Sequence, residues 1–199
     1  MAQNVDDLKA MLSQISGSAQ AEQTENTKAD LTVEIDDASA ECLNQSKDHT
    51  IKHLITNSKS KTTSFSTYVE SANDEQLLIT LTFKNKVHIR AIAFQAPNEE
   101  TCPQTIKIFA NKTGMDFDDV NDCAPTETFT LDQEQAADKS GKFVNVKITK
   151  FRNISSLTIF VQDNYGADTT KLSAIKLIGQ TVEGTNMGNL KKQEDGFAE

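Results

Sequence analysis

Residues 157–179 read LTIFVQDNYGADTTKLSAIKLIG. Leu157, Ile159 and Val161 alternate with Thr158, Phe160 and Gln162. That is the period-two pattern of a strand with one face on a core. A second apolar run, from Leu172 to Ile178, closes the stretch. Between the runs lies DNYGADTTK, a polar insert with one glycine and two adjacent threonines. The stretch reads as two strands joined by a polar connection, and similar units recur along the chain.

Working outward, QLLITLTF (76–83), VHIRAIAFQ (87–95), TIKIFAN (105–111), ETFTLD (127–132) and KFVNVKIT (142–149) are rich in Ile, Val, Leu, Phe and Thr. LTVEID (31–36) reads as a further short strand. Ile106/Ile108/Ala110 and Val144/Val146/Ile148 alternate in the same way, so each set should face one side. The intervening segments contain Gly, Pro, Asn and Asp, which make turns. Many short strands at modest spacing predict an antiparallel sandwich or barrel. Tryptophan is absent, so the ten phenylalanines must supply the large core volume.

The chain has 199 residues, enough for one domain and a tail. Its formal net charge of −9 argues against a nucleic-acid or anionic-membrane partner, because both need a basic surface. The acid is uneven. Residues 1–41 hold nine acidic side chains and two lysines, whereas the other 158 residues hold 20 acids and 18 bases. The N-terminal segment is thus expected to be solvated and flexible. MAQNVDDLKA carries acids where a secretory signal would carry bases. No apolar run approaches the roughly 20 residues of a membrane helix. The expected compartment is the cytoplasm, with the nucleus second.

Within the acidic segment, Leu8, Met11, Leu12 and Ile15 have the spacing of one helical face over 4–16. Residues 17–30, small and polar, read as a linker.

The search for chemistry nominates no catalytic residue, metal site or cofactor. His49 and His53 stand four apart in DHTIKH and could share a helical face, but no zinc-motif partner accompanies them, so they read as solvated. MDFDDV (115–120) lacks the spacing and glycine of a calcium loop and reads as a turn or short helix with Met115 and Phe117 inward. Cys42, Cys102 and Cys123 form no CxxC pair and read as free thiols. The sequons at Asn44, Asn111 and Asn153 read as chance matches without a secretory signal.

A set of longer motifs carries a resemblance. ECLNQS (41–46), NDEQLLITLTF (73–83), AFQAP (93–97), KIFANKTGMDFDDVNDCAPTETFTL (107–131), KFRNISSLTIFVQDNYGADTTKLSAIKLIG (150–179) and EGTNM (183–187) together resemble the PITH domain. That family is the proteasome-interacting module at the C-terminus of thioredoxin-like proteins, also found without thioredoxin. The resemblance implies an all-β, jelly-roll sandwich of the galactose-binding-like type, preceded here by the short helix and acidic segment. It covers a domain at 40–190; the residues on either side read as an acidic helix and linker at 1–39 and a flexible tail at 191–199. It implies association with the regulatory particle of the 26S proteasome and no enzymatic activity. The absence of a CxxC pair removes disulfide reductase activity from that inheritance. The chain is then either a PITH-only member or a fragment or divergent member; the start at Met1 reads as natural, so the first is expected.

The insert can now be posed as a question of site or turn. In this fold, loops at the sandwich edges can carry ligands, so Asn164, Gly166, Asp168, Thr169 and Thr170 are the candidate partner-binding residues. The same residues suit a tight connection: Gly166 can take positive φ, and short polar side chains can bond loop backbone. A sugar or metal site is the third reading. The competing function is a small-ligand or carbohydrate-binding module, against which stand the missing Trp and the presence of only two tyrosines. The subunit bound and the oligomeric state are not legible in the sequence.

Overall fold

The structure is a computed structural model that describes residues 29–133 and 141–182. The helix expected at 4–16, most of the linker and the 191–199 tail lie outside them. Ten strands run in chain order: β1 (Ala29–Asp30), β2 (Glu41–Leu43), β3 (Val69–Glu70), β4 (Leu77–Gln95), β5 (Thr105–Ala110), β6 (Glu127–Thr130), β7 (Val144–Asn145), β8 (Ile154–Val161), β9 (Lys171–Leu172) and β10 (Ala174–Thr181). Two helices lie wholly within the described residues, α1 (Ile51–Lys59) and the single turn α2 (Asp119–Asp122). All strand pairs are antiparallel, in the order β1-β10-β4-β8-β5-β6, with β2 and β7 also on β4 and β3 paired to β9.

The hinge of the sandwich is β4. Its first part pairs with β2 and β8, from Leu77↔Val161 to Thr82↔Ser156. Its second part pairs with β10 and β7. The register against β8 jumps from Thr82↔Ser156 to Val87↔Ile154, so Phe83–Lys86 form an extended bulge. The sequence reading divided this strand at residues 84–86. Those polar residues are the bulge, with Lys84, Asn85 and Lys86 exposed inside one continuous strand.

Alternation sorts the side chains. Leu157, Ile159 and Val161 of β8 enter the main core with Ile106 and Ile108 of β5 and Leu77, Ile79 and Leu81 of β4. Phe160, Phe109 and Leu78 point to the other face, where Met115 and Val120 cover them. Met115 is buried and Phe117 half-buried against this second cluster, as expected for MDFDDV. Phe94, Phe109, Phe151 and Phe160 are among the largest fully buried side chains.

Several expectations need correction. Leu31–Glu34 form a 3-10 turn, capped by the Asp30 carboxylate, which accepts from Thr32 N at 2.9 Å. Leu31 and Ile35 are buried in the main core and β1 pairs with β10, so the folded body takes in residues 29–39 ahead of the expected boundary at 40. The run at 142–149 yields only the two residues of β7, and Ile148 is 42% exposed. In ETFTLD the strand stops at Thr130. In KLSAIKLIGQ, Ser173 interrupts the pairing between β9 and β10.

Helix α1 was not anticipated as an element. Ile51, Leu54, Ile55 and Ser58 share its buried face. Its C-terminal carbonyls are held by Lys176 Nζ, which donates to Asn57 O, Ser58 O and Ser60 O at 3.1, 2.8 and 2.5 Å.

Candidate functional site

The connection from β8 to β9 carries the candidate residues, and Asn164 organises it. Its Oδ1 accepts from Gly166 N and Ala167 N at 2.9 and 3.0 Å. Its Nδ2 donates to Ala167 O, Thr169 O and Thr170 Oγ1 at 3.0, 3.1 and 3.1 Å. The side chain is 7% exposed. One amide therefore ties the loop to itself, as an Asx turn extended over six residues. Gly166 sits at φ +95, a region open to glycine, and a Cβ there would meet nothing within 4 Å.

The neighbouring residues fasten this loop to the sandwich. Asp163 Oδ1 accepts from Thr105 N at 2.7 Å. Tyr165 OH donates to Leu131 O. Thr170 is fully buried; its Oγ1 donates to Glu75 O at 2.6 Å and its N to Ser71 Oγ at 2.9 Å. Thr169 Oγ1 donates to Glu70 Oε1 at 3.0 Å. Of the five predicted residues, the polar atoms of Asn164, Thr169 and Thr170 face inward bonds, and only Gly166 and Asp168 are exposed.

Beside the loop stands a cluster the sequence did not suggest. The His49 ring stacks on Tyr68 with centroids 4.3 Å apart, and Lys171 Nζ lies 5.0 Å from the Tyr68 centroid. Glu70 takes Lys171 at 3.3 Å and faces His49 at 3.9 Å. His49 precedes α1 while His53 lies on it, so the two do not share a helical face; their rings are 6.2 Å apart. Both are half-buried, not solvated. Among the described residues no group of three or more His, Cys, Asp or Glu side chains is placed to hold a metal.

The thiols are separate. Burial pushes Cys42 up to about 12 and Cys102 up to about 11, so both stay protonated near neutrality. Cys123 is half-buried, and all three are free. The three sequon asparagines also gain a structural reason. Asn44, Asn111 and Asn153 have φ of 60, 57 and 53, the only positive values on non-glycine residues among those described. Asparagine is the side chain that best tolerates this left-handed turn conformation. Asn44 and Asn111 spend their amides on the fold: Asn44 Nδ2 donates to Gln76 O at 2.8 Å, and Asn111 Oδ1 accepts from Ser155 N at 2.8 Å.

A cleft of about 460 Å³ opens where α1 ends, over the paired strands β4 and β10 and walled by residues 60–65 and 141–143. Phe65 and Phe143 line it, with Thr63, Gln95 and Lys176 as polar groups. Burial lowers Lys176 from the ordinary lysine range, and the nearby Asp30 opposes that shift.

Solved structures place the fold. The chain resembles the family 32 CBM from Clostridium perfringens NanJ, solved in complex with galactose, at a TM-score of 0.55 and 9% identity, over 76% of this chain and 98% of that one. It resembles an F5/8 type C domain from Bacteroides fragilis at a TM-score of 0.52 and 12% identity, over 78% of this chain and 98% of that one. These likenesses show the fold, a β-sandwich of the galactose-binding-like type. The family is equally plain. The PITH domain model matches residues 21–195, and the chain belongs to the PITH domain family. Thioredoxin-like protein 1 of Schizosaccharomyces pombe is 32% identical over 164 residues, covering 80% of this chain and 54% of that protein. PITH domain-containing protein 1 of Danio rerio is 32% identical, over 75% of this chain and 69% of that one, and the Homo sapiens protein 30%, over 77% and 70%. The chain thus spans about half of the thioredoxin-like relative and some seven-tenths of the other two.

Proposed function

We propose that this chain is a non-enzymatic adaptor that associates with the regulatory particle of the 26S proteasome. The observation that supports this most is the PITH domain match across 21–195, which takes in the whole described sandwich. The thiols fit a non-redox role, since Cys42 and Cys102 are held protonated in the interior. The test is affinity purification of the tagged full chain from its own cells, with quantitative mass spectrometry. Enrichment of regulatory-particle subunits as a set is expected. Their absence at native salt, with the chain intact, would refute the adaptor reading.

One observation favours a second reading, a small-ligand module: two phenylalanines and several polar groups line the cleft beside Gln95. A thermal-shift panel of neutral monosaccharides and disaccharides checks it. A saturable rise in melting temperature, lost in Phe143→Ala, would favour this reading over the adaptor.

A further inference from the structure

The net charge of −9 conceals a local excess of the opposite sign. Residues 84–90 and 142–152 hold seven of the twenty Lys and Arg residues and no Asp or Glu, in a chain with 29 acids. The two segments are far apart in sequence, and the fold lays them side by side. Val87 pairs with Ile154, Ile89 N donates to Phe151 O at 3.0 Å, and Val146 N donates to Arg90 O at 3.0 Å. Asn153 N donates to His88 Nδ1 at 3.0 Å, which ties the turn after β7 to β4.

The backbone then decides which side chains remain outside. Val87, Ile89, Val146 and Phe151 are buried and anchor both segments. Lys86, Lys147, Lys150 and Arg152 are exposed, and His88 and Arg90 are half-exposed. Lys150 Nζ donates to Thr126 O at 2.7 Å. Among the described residues, none of Lys86, Arg90, Lys147 and Arg152 makes an ion pair. In their midst Ile148 is 42% exposed, and Phe143 at the other end of β7 is equally so. These are two of the four large apolar side chains exposed among the described residues.

We propose that the turn Lys147–Arg152 and the adjoining face of β4 form a docking surface for an acidic protein segment that carries an apolar side chain. An exposed apolar side chain among cations that make no ion pair suits a specific interface: the apolar group supplies affinity, and the charges supply steering and choice of partner. Glu34, which accepts from Asn85 Nδ2 at 2.9 Å, is an acid at the far end of this face. Charge complementarity fixes the sign of the partner. Ile148 decides for protein over nucleic acid, because an aliphatic chain offers a base no stacking plane. The acidity of the rest of the molecule works in the same direction, since it repels a long phosphate chain. Which protein supplies the segment rests on the adaptor reading above.

The experiment uses the full chain, a triple charge reversal Lys86→Glu, Lys147→Glu and Arg152→Glu, the single Ile148→Ser, and the conservative triple Lys86→Arg, Lys147→Arg and Arg152→Lys. All positions are exposed, so the melting temperatures should agree. The probe is a short fluorescein-labelled peptide of glutamates interrupted by leucines, titrated by anisotropy beside an all-glutamate peptide and an oligo-dT. The native chain and the conservative variant should bind the Glu/Leu peptide, less tightly as NaCl rises from about 50 to about 300 mM. The charge reversal should weaken binding at least about tenfold, and Ile148→Ser should erase the preference for the Glu/Leu peptide over the all-glutamate one. No binding by the native chain, equal binding by the charge reversal, or tighter binding of oligo-dT would each overturn the proposal. Proteasome retention separates the two readings. If the native chain retains no proteasome, the adaptor reading fails and the peptide titration still decides the surface. If native and reversed chains retain it equally, the surface is not the docking face.

Discussion

Replacing Asn164 with alanine removes two bonds accepted from Gly166 N and Ala167 N and the two N–H donors of Nδ2, which are shared among three acceptors. At a net of about 1 kcal/mol for each of these four the simple sum is about 4 kcal/mol. The real cost must be smaller, because Gly166 is exposed and Ala167 half-exposed, and their N–H groups can turn to water. Thr170 is fully buried, and its hydroxyl keeps Glu75 O as a partner. The expected loss is therefore about 2–4 kcal/mol, a large share of the 5–15 kcal/mol that a domain has. Urea unfolding, followed by far-UV circular dichroism, measures it. Asn164→Asp adds a test of sign. A carboxylate keeps the two accepted bonds but faces Ala167 O and Thr169 O, which raises its pKa in the folded state. That variant should therefore recover stability relative to the native chain as pH falls, because a protonated acid can donate again. Asp168→Ala, at an exposed position, should change neither stability nor proteasome retention. If Asn164→Ala costs less than about 1 kcal/mol with an unchanged m-value, or Asp168→Ala abolishes retention, the structural reading of DNYGADTTK is refuted.

Gly179→Ala should be among the most damaging single changes, since a Cβ there would lie 2.0 Å from His88 O and 2.7 Å from Leu31 Cδ1; soluble, fully folded protein at 37 °C with an unshifted melting temperature would contradict the packing of β10 on β4. Ile159→Ala, at a fully buried position, should cost about 2–5 kcal/mol in urea unfolding, and a loss under about 0.5 kcal/mol would reverse the assigned face of β8. A chain that begins at Glu41 loses the burial of Leu31 and Ile35, about 3–6 kcal/mol, so its melting temperature should fall by about 6–24 °C; a shift under about 2 °C would show that the 3-10 turn is not part of the core. In the native state at pH 8 a thiol reagent should modify Cys123 first and leave Cys42 until unfolding; because burial lifts the Cys42 thiol from 9.0 to about 12, its contribution to stability is full below pH 9 and is lost as pH rises toward 12, and Cys42→Ala should flatten that alkaline decline.

Local periodicity made most of the strands legible. In β8 the alternation of Leu157, Ile159 and Val161 marked the core face, because a strand's side-chain period of two is set by the backbone alone. Motif content identified the family over almost the whole chain, and with it the galactose-binding-like fold. The acidic balance was also plain from composition.

What the sequence left undecided depended on groups distant along the chain. Residues 84–86 look like a turn, and only the pairing of β4 to β8 on one part and β10 on the other makes them a bulge in a single strand. The Ile51, Leu54 and Ile55 spacing was present, but so short a helix gains its stability from packing and from Lys176 holding its last carbonyls. Gly179 could be read as a weak point in a strand until His88 O was found where its Cβ would stand. Asn164 looked as free to meet a ligand as to bond its own loop. The direction in which a short polar side chain points is decided by which polar groups the fold leaves around it, and here it left four backbone groups and the Thr170 hydroxyl. The basic face is the clearest case. Two unremarkable cationic runs, each inside a chain of net charge −9, become one surface only when Val87 pairs with Ile154, because charge adds in space and not along the sequence.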